Sequence, residues 1–199
     1  MLKTLNDIVT NSIKIQRSEF ICILYPVSDV DKVKEIISQH NNIYKDATHN
    51  CYGYIIGNKQ DFQYYSDQGE PSGTAGKPIL NTLLKHELTN VLAIVTRYYG
   101  GIKLGVRGLI DAYSEAVSMA ILSSSLIDFV VLSSVFIQSD YSTLDNLKHL
   151  LKQYKVVFNP IEYTEIVKTE LIFPEEHKQV VSAILDDISI KGHLIKENI

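Results

Sequence analysis

The sequence has no tryptophan, two cysteines, five prolines and only three arginines, Arg17, Arg97 and Arg107. Each shortage narrows the range of functions. Cys22 and Cys51 lie far apart in the chain and make neither a disulfide framework nor a CxxC-type metal site. They are expected to be free, buried thiols of a reducing compartment. No apolar run approaches the ~20 residues of a membrane-spanning helix. The opening Met1-Leu2-Lys3-Thr4-Leu5-Asn6-Asp7 lacks the apolar stretch of a signal peptide. The expectation is a cytoplasmic protein with no membrane contact.

Residues 128–199 hold no arginine, 7 lysines and 11 acids, whereas residues 1–127 balance 12 cations against 12 acids. The whole net charge of −4 therefore falls in the second part. That part is a poor polyanion surface, because phosphate recognition draws heavily on arginine.

What is present is enough for real cores: apolar residues make up 45% of a chain of 199. That length suits one large domain or two small ones. A strand is expected over 12–27. Ser28 and Asp29 then offer N-caps to a helix with Val30, Val33, Ile36 and Ile37 on one face, ending at Asn41-Asn42. Further strands are expected at 48–56, 62–65 and 91–99, with helices at 77–88 and 109–122. On the last helix Asp111, Ser114, Glu115 and Ser118 form the only polar stripe, so the rest reads as buried. Ser123-Ser124-Ser125 is the expected boundary, giving domains at 1–125 and 126–199. Beyond it the pattern is strand (130–138), helix (141–153), strand (155–164), strand (166–173), helix (175–187) and strand (190–196). That βαββαβ order is the ferredoxin-like signature, and the fold class is α+β.

Three polar segments stand out: Asp46 to Tyr52, Ser66 to Pro78, and Thr96 to Leu109. The second and third share a design, a glycine-rich loop opening onto a helix with a lysine in or beside it. A helix start leaves N–H groups unpaired, and its dipole favours an anion. Gly73, Thr74, Gly76 and Lys77 in one loop, and Arg97, Tyr98, Tyr99, Gly100, Gly101, Lys103, Gly105 and Arg107 in the other, are the candidate anion site. Neither loop is a P-loop or a dinucleotide fingerprint, because Pro78 follows Gly76-Lys77 and the first glycine before Gly105 is missing. The glycines also suit plain tight turns and close packing, Asp67 and Thr74 also suit caps, and Arg97, at the end of a buried strand, also suits an internal ion pair.

His49, Asp67, Glu70 and Ser72 form a possible pocket, with Asp67 and Glu70 as an acid–base pair. His49 and Cys51 share a strand face, yet two distant cysteines and one such histidine fall short of a metal site. They can also be read as a nucleophilic pair, without an orienting third group. No metal and no cofactor is expected. Twelve of 18 aromatics are tyrosine. An exposed tyrosine can stack a base for roughly 1–3 kcal/mol. Adjacent tyrosines point to opposite faces, so one of Tyr98 and Tyr99 at most faces a given ligand.

Taken together, these segments resemble the YigZ/Impact family: Asp46 to Tyr52, Ser66 to Leu80 and Thr96 to Tyr113 follow its pattern almost residue for residue, and the resemblance covers nearly the whole chain. It implies a first domain like the second domain of ribosomal protein S5. It also implies a ferredoxin-like second domain like the C-terminal domain of elongation factor G. Eukaryotic members regulate translation through an extra N-terminal partner-binding domain, which is not expected here. The family usually has Asp at Gln68, Gly at Arg107 and Arg at Asp111. The expected function is non-enzymatic, translation-linked binding of RNA or ribosome-associated partners through the first domain. Lys77, Arg97, Lys103 and Arg107 would take phosphate, and Tyr98 or Tyr99 would stack. The competing readings are an enzyme acting on a phosphorylated metabolite and a protein-interaction module using the acidic second domain.

Overall fold

The structure, a computed structural model, describes residues 1–163, 166–190 and 194–197. It is mixed α and β, with three antiparallel sheets and five α-helices among the described residues. The chain divides into two compact units, Met1–Phe129 and Val130–Ile199.

In the first unit, β2 (Val9–Ile15), β3 (Ser18–Pro26), β4 (His49–Ile56), β5 (Phe62–Ser66) and β6 (Val91–Tyr98) form one sheet in the order β2-β3-β6-β4-β5. The apolar run of β6 is buried from Val91 to Arg97, as a strand covered on both faces must be. Alternation splits it cleanly. Val91, Ala93 and Val95 join the core under α2 (Gly76–Lys85) and α3 (Gly105–Leu122). Leu92 and Ile94 join the core under α1 (Val30–Ile43). A helix start at Val30 follows from Asp29, whose carboxylate accepts from the Asp31 N–H at 3.0 Å. On the α1 face His40 is buried between Tyr25 and Thr96, and burial pushes its pKa down to about 4.

The single strand expected at 12–27 is instead a hairpin of β2 and β3. Gln16 and Arg17 turn it with φ of 43° and 67°, without the Asn-Gly or Asp-Gly pair that marks such turns in a sequence. The boundary also moves. Leu126–Asp128 forms β7, pairs with β1 (Lys3–Leu5), and belongs to the first unit. Ser123 and Ser124 bond back to Ala120 and Ile121 at the end of α3. The serine run is therefore a helix terminus, and the division falls after Phe129.

In the second unit, β8 (Leu132–Ser139), α4 (Tyr141–Leu151), β9 (Val157–Tyr163), β10 (Val167–Pro174), α5 (Lys178–Ile190) and β11 (Leu194–Glu197) follow in that order. The sheet order is β11-β8-β10-β9. Ile137, Leu147, Leu151, Leu171 and Leu185 fill its core. Pro160 lies on β9, an edge strand, where proline is tolerated in a sheet. Residue 164, expected in β9, and residues 191–193, expected in the last strand, lie outside the described residues. Ile190, expected in that strand too, ends α5.

Candidate functional site

The alternation that sorts β6 into two cores also builds the site. Arg97 falls on the α2/α3 face, opposite His49 of β4. Two residues on, Cys51 lies on the same face. Arg97 is 5% exposed, and its Nη1 donates to Glu70 Oε1 at 2.6 Å. Tyr113, from the middle of α3, donates its hydroxyl to the same oxygen at 2.8 Å. The Arg97 guanidinium lies between the rings of Phe20 and Tyr99, 5.4 Å from each centroid. Its Nε is buried and has no hydrogen-bond partner among the described residues.

Glu70 reaches this place because of the turn before it. Gln68 and Gly69 take φ of 43° and 87°, and the Glu70 N–H closes onto the Asp67 carbonyl at 3.0 Å. The Asp67 side chain faces away from that turn into the loop it opens. Oδ2 accepts from the Gly73 N–H at 2.8 Å, and Oδ1 accepts from the N–H groups of Ala75 and Gly76 at 3.0 and 2.8 Å. A carboxylate of the chain thus occupies the N-terminus of α2, the position an external anion would take. Gly76 is needed for close approach: a Cβ there would lie 2.6 Å from the Ser66 backbone.

The second loop is open. Gly100 packs against the Arg17 carbonyl, with no room for a Cβ, and its N–H donates to Ser18 Oγ at 3.2 Å. The helix then begins four residues before the expected 109, at Gly105, whose φ of 73° makes the entry. Leu104, at the N-cap, has no oxygen to offer, and the first turn holds no acid. Arg107 and Gly108 therefore lie in the first turn of α3 and not in a loop. Nor is the remainder of the expected helix buried outside the polar stripe: Met119 is 40% exposed and Leu122 73%.

Beside this open helix start lies a cleft of about 430 Å³. Tyr99, Leu104, Val106, Leu109 and Pro71 give it a largely apolar wall, with Lys103 at the loop. Glu70, Arg97, His49 and Thr48 supply its other polar side chains. His49 Nδ1 faces the Gln68 carbonyl at 2.9 Å, so that nitrogen carries the proton. In the neutral imidazole Nε2 is then bare, and it stands 3.9 Å from Glu70 Oε2. Oε2 accepts no hydrogen bond from the described residues.

The structure thus brings together His49, Glu70, Arg97, Tyr99, Lys103 and Gly105 and separates the rest. Asp67 is a cap and no acid–base partner of Glu70. Gly73 and Thr74 serve the same loop, the Thr74 hydroxyl donating to the Pro71 carbonyl. Ser72 and Lys77 are exposed outside the cleft lining, as are Gly101 and Arg107. Tyr98 donates to Asp46 and takes no part in the cleft. Arg97 is an internal ion-pair partner, where a surface phosphate contact was expected. The Cys51 thiol is fully buried, donates to the Asp67 carbonyl at 2.9 Å, and burial pushes its pKa up to about 12. Burial of this kind disfavours a thiolate nucleophile paired with His49. Tyr113 was given no role in the site from the sequence. Its signal was a hydroxyl in the middle of an otherwise apolar helix face, and burial raises its pKa well above the usual phenol range.

Among the described residues no three His, Cys, Asp or Glu side chains gather as a metal site. Nor is any described helix long and apolar enough to cross a membrane.

Fold and site together define an α+β protein of two units whose first unit carries a ligand-sized cleft beside an open helix start. The chain belongs to the IMPACT family. The family model described as the Impact N-terminal domain matches residues 16–121, which include every residue of the cleft. IMPACT family member YvyE of Bacillus subtilis (strain 168) is 34% identical over 194 residues, covering 98% of this chain and 89% of that protein. IMPACT family member YigZ of Escherichia coli (strain K12) is 33% identical over 178 residues, 88% of this chain and 87% of that one. A solved structure described as a hypothetical protein superposes with a TM-score of 0.67 at 31% identity, covering 100% of this chain and 97% of that one.

Proposed function

We propose that this chain is a translation-linked binding protein whose first unit holds single-stranded RNA, with one nucleotide seated in the cleft. The observation that carries this is the pairing of an uncapped α3 N-terminus with Lys103 and the half-exposed ring of Tyr99 around one apolar-walled cleft. The helix start and Lys103 take a phosphate. Tyr99, already backed by the Arg97 guanidinium, stacks on the base. Single-stranded RNA fits such a site because its bases can be splayed out. The balanced charge of residues 1–127 keeps affinity weak, in the micromolar range or poorer.

We further read the first unit as a relative of the second domain of ribosomal protein S5. We read the second as ferredoxin-like, akin to the C-terminal domain of elongation factor G. The order β11-β8-β10-β9 with a helix after β8 and after β10 supports the latter. Both units are read as domains that fold alone, so residues 1–129 expressed by themselves should unfold in one cooperative transition.

The test is fluorescence anisotropy of a labelled heptauridylate against the full chain across a salt titration. Affinity should fall with salt at a slope of about −0.7 per phosphate contact. Lys103→Glu should weaken binding several-fold and flatten that slope, with a stability change below about 0.5 kcal/mol because the side chain is exposed. Salt-insensitive binding, or an unaltered Lys103→Glu protein, would sink the reading.

One observation favours a second reading. A bare His49 Nε2 beside a carboxylate, in a partly enclosed cleft, is also the arrangement of a general base acting on a phosphorylated metabolite. Binding of a sugar phosphate with no competition from RNA would move the assignment there.

A further inference from the structure

The floor of the cleft has a polarity opposite to its rim. At the rim are donors, the N–H groups of the α3 start and the Lys103 ammonium. At the floor are acceptors. Glu70 Oε1 is taken by Arg97 and Tyr113, which fixes the carboxylate and leaves Oε2 without a hydrogen bond among the described residues. The Glu70 side chain is 4% exposed, so Oε2 is an anionic acceptor with little water to satisfy it. His49 Nε2, bare in the neutral ring, is a second acceptor 3.9 Å away. A ligand of the cleft therefore carries an anion at one end and adjacent hydrogen-bond donors at the other.

We infer that the cleft selects guanine among the bases of single-stranded RNA, its N1–H and N2 amino group bonding Glu70 Oε2 and His49 Nε2. This rests on the RNA-binding reading and gives it a specificity. Guanine offers two neighbouring donors on its Watson–Crick edge. Uracil offers one N–H flanked by two carbonyl oxygens, and those oxygens would face a buried carboxylate. Adenine and cytosine each offer one amino group beside a ring nitrogen that repels the second acceptor. The Arg97 guanidinium serves as a positioning group: it holds Glu70 in place and backs the Tyr99 ring, and its charge is used within the protein.

The experiment compares three labelled heptamers on the full chain at one salt concentration: heptauridylate, the same strand with a central guanosine, and the same strand with a central inosine. Inosine keeps N1–H and lacks the N2 amino group. The guanosine strand should bind about tenfold more tightly than heptauridylate, the discrimination of one good two-bond pairing. The inosine strand should fall between them. His49→Ala, compared with the parent by thermal melting, should bring the guanosine-to-uridine ratio toward one. Equal binding of all three strands overturns the inference and leaves the RNA reading standing. So does a ratio that His49→Ala does not change. Failure of every heptamer to bind overturns both. The inosine comparison needs no altered protein, so it decides the matter even where a variant folds poorly.

Discussion

The two glycine-rich loops look alike in the sequence and differ in the fold. Each runs through glycines into a helix, and each carries a lysine. Yet the loop before α2 is closed by its own Asp67, which accepts from three backbone N–H groups. The loop before α3 has leucine at the cap position and opens on the cleft. The lesson is that a helix start is an anion site only when no carboxylate of the chain already fills it. Asp67 lies six residues before Gly73 and nine before Gly76. At that distance a cap is invisible to a search for Ser, Thr, Asp or Asn just before the helix.

The largest effect should come from the floor that the open loop overlooks. Removing Glu70 leaves the Arg97 guanidinium buried between Phe20 and Tyr99 without its ion-pair partner, and deprives the Tyr113 hydroxyl of its acceptor. Breaking such a pair from one side costs about 3–5 kcal/mol, so Glu70→Ala should lose that much in urea unfolding. Glu70→Gln combined with Arg97→Met should lose less than Glu70→Ala. A Glu70→Ala protein within about 1 kcal/mol of the parent would show the pair to be solvated, and the floor would then be no fixed acceptor.

Next comes the closed loop. Asp67→Ala removes one carboxylate and orphans three donors, and should cost about 2 kcal/mol. The more telling readout is phosphate. Inorganic phosphate should raise the melting temperature of Asp67→Ala more than that of the parent, because the vacated α2 start becomes a second anion site. Equal shifts in the two proteins would mean that the loops differ by more than an occupied cap.

Much of the architecture was legible because it follows periodicity. The buried run at β6, the amphipathic α1 with Asp29 before it, and the βαββαβ order after residue 130 all rest on local pattern. Errors fell where local chemistry gave no sign. Gln16-Arg17 turns a hairpin with two ordinary residues at positive φ. Gly105 to Gly108 start a helix although glycine is a poor helix former. In the site, the sequence pointed to His49, Glu70, Tyr99 and Lys103, which are in the cleft. For Asp67 and Arg97 it left two readings open, cap or acid and ion pair or phosphate contact, since spacing along a loop cannot tell a carboxylate that caps from one that faces a ligand. It also missed the apolar wall of Leu104, Val106 and Leu109, which reads as ordinary helix residues.

The smallest effect should be at Gln68, and it probes how the closed loop delivers Glu70 to the open one. Gln68 stands at φ 43°, a conformation that Asn and Asp tolerate better than a longer side chain does. Gln68→Asn should therefore stabilise the protein by a few tenths of a kcal/mol, up to about 0.5. Its backbone carbonyl would still accept from His49. Gln68→Asp should gain less, because the added charge neighbours the Asp67 and Glu70 carboxylates. Urea unfolding of the three proteins under one buffer gives the order. Were Asn to destabilise, the Gln68 side chain and not its backbone would be what holds the turn, and the delivery of Glu70 into the cleft would depend on a contact rather than on the φ of this residue.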